Sequence, residues 1–131
     1  MTEEQNRDAG RLQRYIEREQ LVSVMNDTKW RELQVVITEE LSFRPRYRVK
    51  CLRGADDFYW DTDWHTHLPT FKEIEWLEID PICKERQGRL VPDIATDKSA
   101  ELESLLQSVS IPFERRDGLI RVYGYHRPTT V

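Results

Sequence analysis

A chain of 131 residues with 38% hydrophobic and 34% charged side chains has the size and balance of one polar, globular domain. Such a chain buries roughly two thirds of the surface its unfolded form exposes. Nothing in it approaches the roughly 18 consecutive apolar residues of a membrane span, and the opening MTEEQNRDAGR lacks the apolar stretch of a signal peptide. Cys51 and Cys83 form no CxxC and are too few for a disulfide framework, so both are expected to be reduced, structural thiols in a cytoplasmic protein.

Residues 2 to 23 read as a first helix, with Leu12, Tyr15, Ile16 and Val22 making a thin apolar stripe among Glu, Arg and Gln. Asn26-Asp27 supplies a fresh N-cap for TKWRELQVVITEEL, where Trp30, Leu33, Ile37 and Leu41 recur at spacings of three and four. The restart near Met25 divides the chain into an N-terminal helical extension, 1–24, and a single domain, 25–131. Pro45 ends the helical run, and RYRVKCLR alternates as a half-buried strand with Tyr47, Val49 and Cys51 inward. GADD is a loop, FYWDTDWHTH a strand or structured loop, and EIEWLEIDP the next strand. In that strand the apolar phase switches: Ile74 and Trp76 share one face, Leu77 and Ile79 the other. A strand of this kind is covered on both sides or carries a bulge.

RQGRLVPDI reads as a turn and a short edge strand, since Pro92 removes a ladder donor. Thr96 or Asp97 caps KSAELESLLQSVS, the best helix in the chain, and IPFERR-DG-LIRVYGY closes as a hairpin with Asp117-Gly118 at its turn. The expected fold class is therefore α+β: a mainly antiparallel sheet of four or five strands, two amphipathic helices on one face and an additional N-terminal helix.

The net charge of −4 is unevenly spread. Five bases and no acid lie between Arg44 and Arg53, whereas eight acids and one base, Lys72, lie between Ala55 and Asp80. Opposite charges on neighbouring strands would pair, and whatever stays unpaired would steer a partner. Within the acidic stretch, DTDWHTH places Asp61, Asp63, His65 and His67 at alternate positions, which an extended chain would project from one face. His-x-His with a carboxylate nearby is a chelating geometry, so Asp63, His65 and His67 are the candidates for a metal-dependent hydrolase, with Lys72 near. A third firm ligand is missing, and the chain carries no HExxH, cysteine cluster, glycine-rich phosphate loop or GxSxG. The weight falls on a non-enzymatic protein without cofactor. Nucleic-acid binding rests only on Arg46, Arg48 and Lys50 and is opposed by the acidic balance.

The segments TKWREL, DTDWHTHLPTFKEIEWLEIDP, GRLVP and IPFERRDGLIRVYGY together resemble a family of small bacterial proteins of unknown function, over about residues 26–126. In size and charge the chain is also similar to immunity proteins, which block a toxin by covering its active site. That resemblance implies a cytoplasmic protein-binding module facing a basic toxin domain. Asp56, Asp57, Asp61, Asp63 and Glu78 would meet the basic cleft, and Tyr59, Trp60 or Trp64 would fill a pocket in it. A regulatory interaction module unrelated to toxins is the remaining alternative.

Overall fold

The computed structural model describes residues 2–54 and 58–128. In chain order the elements are α1 (Glu3–Arg18), β1 (Val22–Ser23), α2 (Asp27–Val35), β2 (Tyr47–Cys51), β3 (Ile74–Ile79), β4 (Ile82–Glu85), β5 (Ile94–Asp97), α3 (Ser99–Ser108), β6 (Glu114–Arg116), β7 (Leu119–Tyr123) and β8 (Tyr125–His126). The fold is α+β, as expected. Strands β2-β3-β7-β6 form an antiparallel sheet, with two smaller pairs, β1-β8 and β4-β5, beside it.

One face of the sheet is covered by α2 and α3. Trp30, Leu33 and Ile37 from one side and Leu102 and Leu106 from the other bury Leu77, Ile79, Ile120 and Val122. Asn26 caps α2 as the sequence suggests, its Oδ1 accepting the Lys29 N–H; the N-cap of α3 is Lys98, one residue after the expected Asp97, whose Oδ1 accepts the Ser99 N–H from the end of β5. At the β6–β7 turn Asp117 and Gly118 both have positive φ, 51° and 78°, the geometry of a two-residue hairpin whose twist matches its strands.

The first helix ends earlier than its composition suggests. Thr2 and Gln5 form a capping box at its start. At its end Gln20 enters the left-handed region (φ 56°), and the Leu21 N–H closes onto the Ile16 carbonyl. Val22 therefore leaves the apolar stripe and sits 64% exposed in β1. Leu12, Tyr15 and Ile16 pack with Leu21, Leu52 and Tyr125 as a second, smaller core, so α1 rides on the sheet domain.

The phase switch in β3 has both of the expected causes. Between Lys50 and Cys51 the register slips, leaving Glu75 as the extra residue and turning Ile74 into the core. The strand is also covered on its second face, and all six of its residues are buried. There Arg48, Glu78 and Arg121 lie directly opposite one another on β2, β3 and β7. Glu78, 2% exposed, takes Arg48 Nε at 2.8 Å on one oxygen and Arg121 Nε and Nη2 at 3.0 and 2.9 Å on the other. The guanidiniums in turn lie over rings, Arg121 4.1 Å from Trp76 and Arg48 4.9 Å from Trp60. Arg46–Asp80, Arg53–Glu73, and Glu75 with both Lys50 and Arg127 extend the series. The basic stretch and much of the acidic middle are thus one intramolecular ladder.

Replacing Glu78 by Leu leaves two arginines facing each other. Destabilisation by urea should be about 3 kcal/mol, the low end for a broken buried pair, because Arg48 can turn to water. Arg48→Met should cost less, since Arg121 still holds the carboxylate twice; equal losses would show that Glu78 is not shared between the two.

Gly124 gives a second test of the frame. It lies where β7 meets β8, donating to the Glu75 carbonyl and accepting from the Val24 N–H. A Cβ there would stand 2.1 Å from the Ile74 carbonyl oxygen, so Gly124→Ala should cost about 3 kcal/mol by displacing β8 from β3. A thermal melt unchanged by this substitution would contradict that close approach.

Candidate functional site

The DTDWHTH segment is a turn and not a strand. Asp61 alone joins the sheet, exchanging backbone hydrogen bonds with Tyr47 at 2.8 and 2.9 Å. Beyond it the carboxylates organise the backbone. Asp61 Oδ1 accepts the Asp63 N–H at 2.8 Å; Asp63 Oδ1 accepts the His65 and Thr66 N–H groups, both at 2.9 Å, and Asp63 Oδ2 accepts the Thr66 hydroxyl. This side-chain pattern turns the chain at 64–66 and breaks the alternation. Asp61, Asp63 and His67 converge, with His67 Nδ1 2.8 Å from Asp61 Oδ2 and Nε2 3.7 Å from Asp63 Oδ2, while His65 is left exposed outside the group.

The same turn drives Trp64 into the core. It is fully buried, its Nε1 donates to the Pro45 carbonyl at 2.9 Å, and its ring lies 4.4 Å from Tyr47. The Tyr47 hydroxyl donates to the Asp63 carbonyl and Gln34 Nε2 to the Trp64 carbonyl. Burial, with Asp61 and Asp63 nearby, pushes the Tyr47 phenol above its ordinary range. The Thr66 hydroxyl and the Thr66 and His65 amides hold Asp63 well below the usual carboxylate range; the Asp63 amide and then His67 lower Asp61.

The residues named from the sequence for partner binding therefore scatter. Trp64 and Glu78 lie inside the protein and cannot reach a partner, the first because the Asp63 turn buries it and the second because two arginines enclose it. Trp60 is half-buried beneath Arg46, 4.2 Å from its ring centre. Asp61 and Asp63 spend their oxygens on the turn. Only Tyr59, 77% exposed, stands out from the surface. Asp56 and Asp57 lie outside the described residues. Asp61, Asp63 and His67 lie close but are not placed to hold a metal ion, and no other group of three His, Cys, Asp or Glu among the described residues is either.

A more distinctive feature lies around residues 86–94, RQGRLVPDI, which read from sequence as a turn and a short edge strand. Strands β4 and β5 pair only with each other, Ile82 opposite Asp97 and Glu85 opposite Ile94. Fourteen consecutive residues, 84–97, are exposed, so the hairpin projects as an arm. Its tip carries Leu90, 97% exposed, and Val91, 57%, with Ile94, 51%, behind them. The root is held: Asp80 Oδ1 accepts the Ile82 N–H, and the Lys98 N–H donates to the Pro81 carbonyl at 2.9 Å.

At the opposite end of β3 an open cleft of about 600 Å³ separates α1 from the body. Leu12, Ile16, Met25, Trp30 and Phe71 line it, with Asp27 and Lys72 at its edge.

The chain matches the model described as a family of unknown function (DUF6678) over residues 12–129. It belongs to that family. The match begins within α1, earlier than the segment 26–126 that carries the resemblance in the sequence, so the second half of α1 is part of the family unit. No curated protein and no solved structure matches the chain.

The depressed carboxyls make the turn acid-sensitive. Their folded pKa values lie below the unfolded ones, so their contribution is complete above the ordinary carboxylate value of about 4 and is lost as pH falls through the folded values. Asp63→Asn should lower the melting temperature at neutral pH and flatten its decline in acid. Parallel melting profiles for the two proteins from neutral pH into acid would refute this role.

Proposed function

We propose that this chain is a protein-binding module whose contact element is the β4–β5 arm. The observation that carries the reading is the exposure of Leu90, Val91 and Ile94 on a hairpin that nothing else in the described chain covers. A two-stranded hairpin is marginal in water on its own, and clustered apolar side chains on a projecting element are characteristic of contact surfaces. The held root supports the same reading, because a tip presented from a fixed base loses less freedom on binding. Lys84, Arg86 and Arg89 against Glu85, Asp93 and Asp97 leave the arm without net charge, so its contact rests on the apolar tip.

Neutralisation of a toxin is a finer form of this function, and it would use a different surface. Covering a basic cleft calls for unpaired acids beside an exposed aromatic. Tyr59 supports it, while the internal bonding of Asp61, Asp63 and Glu78 takes away most of its electrostatic part. The arm has no such deficit.

A photo-crosslinking amino acid placed at position 90 or at position 59, in the protein expressed in its own cells, distinguishes the two surfaces. An adduct from position 90 alone is expected. An adduct from position 59 alone would move the function to the loop face, and none from either would overturn the protein-binding reading.

A further inference from the structure

The first helix is fastened to the rest of the protein along only half its length. Residues 2–9 are all exposed, and Leu12 is the first side chain of α1 to be buried. The family match begins at the same residue. Beyond it only Tyr15 and Ile16 join the contact, both half-buried, against Leu21, Leu52 and Tyr125. Open clefts of about 600 and 650 Å³ lie between α1 and residues 70–73, so that flank of the helix packs on little. Two polar latches add to the contact: Arg127 Nη2 donates to the Tyr15 hydroxyl at 3.1 Å, and Arg53 Nη2 approaches Asp8 at 3.4 Å. Both guanidiniums have closer partners, Arg127 in Glu75 and Arg53 in Glu73. The latches are therefore secondary bonds at exposed positions, where water competes for them.

The chain just after the helix is held differently. Val22 pairs with His126 and Ser23 with Tyr125, and the Val24 N–H donates to the Gly124 carbonyl at 2.9 Å. Between this pinned strand and the helix stand residues 19–21, with Gln20 at φ 56°, a region uncommon for a residue that carries a side chain. A lightly held helix, a strained joint and a fixed anchor thus follow one another in the chain. We infer that α1 is a strap: it swings off the sheet domain as one unit about residues 19–21, uncovering Leu52 and Tyr125, while β1 stays paired with β8.

The main core permits this motion. It runs from Met25 to Val122 and uses no residue of α1, so its packing is the same with the strap closed or open. Only the smaller core, to which α1 contributes Leu12, Tyr15 and Ile16, is divided. Once free, a helix of 16 residues is marginal in water, so its backbone amides lose protection as it leaves.

Native-state hydrogen exchange of the purified full-length chain, in urea too dilute to unfold it, tests this. Amides of residues 12–18 should be protected, yet exchange at least about a hundredfold faster than those at the centre of β3 and β7. With rising urea they should converge on one common opening, because release of the whole strap exposes surface whereas fraying of single bonds exposes almost none. Leu12→Glu should abolish protection of α1 and leave that of β3 and β7 in place. Tyr15→Phe, which removes one latch, should speed exchange in α1 alone by about fivefold, the scale of one hydrogen bond. Exchange of α1 only together with β3, in the wild type or in either variant, would make the helix an integral part of the domain and overturn the strap. Amides of α1 unprotected in the wild type would show that it never closes. Rates in α1 that stay separate and indifferent to urea would reduce the motion to fraying and refute the single unit.

Discussion

The structure depends on the in-register pairing of a basic strand with an acidic one. A carboxylate as buried as Glu78 in the centre of a sheet would be prohibitive if unpaired. Here Arg48 and Arg121, on the two neighbouring strands, supply three hydrogen bonds to its two oxygens. That pairing lets the second face of the sheet be closed by a thin layer of rings and guanidiniums, without a further helix. Phe58 lies 5.1 Å from Trp76, and Arg48 and Arg121 lie between rings and carboxylate. The pairing also specifies register. A slip of one residue between β2 and β3 would set arginines opposite Leu77 and Ile79 and take Arg48 from Glu78. Buried ion pairs are weak sources of stability but can select one arrangement among several, and this ladder is placed to do so.

The acidic turn follows from the same frame. Tyr47 heads β2, bonds Asp61 through its backbone and Asp63 through its hydroxyl, and packs its ring at a tilt against Trp64. A short carboxylate two or three residues before an amide is the usual device for bending a chain, and Asp61 and Asp63 both act this way. Their charge is spent on local amides, a hydroxyl and one imidazole. The sequence motif that looks most like chemistry is thereby a fastening for a core tryptophan.

What could be read in advance divides along a physical line. The hairpin at Asp117-Gly118, the N-cap at Asn26 and the two-faced β3 are written in local pattern, because each is set by nearest neighbours or by a period of burial. The pairing of Arg48 with Glu78 was legible as one of two outcomes, since composition gives opposite signs but not adjacency. DTDWHTH misled because alternation of polar residues marks a strand only where one face is buried; here the buried residue, Trp64, sits between the carboxylates and imidazoles, and capping of amides by Asp63 gives the same spacing as a turn. The first helix was overdrawn at its end because Gln20 in the left-handed region has no sequence signature as firm as glycine. The arm was invisible for a different reason. A hairpin that packs on nothing in its own chain has no burial period to display, so Leu90, Val91 and Ile94 looked like an edge strand of the sheet.

That invisibility is informative about function. Within a chain, apolar residues are explained by what they pack on, and the two cores account for Trp30, Trp64, Leu77, Leu102, Leu12 and Tyr125. Leu90, Val91 and Ile94 have no such account in the described residues. The segment matched by the family, 12–129, contains the whole arm. An apolar tip that packs on nothing in its own described chain is what sets the arm apart from both cores. Because a two-stranded hairpin is marginal alone, any surface that buries Leu90 and Val91 would add to the arm's stability as well as bind it.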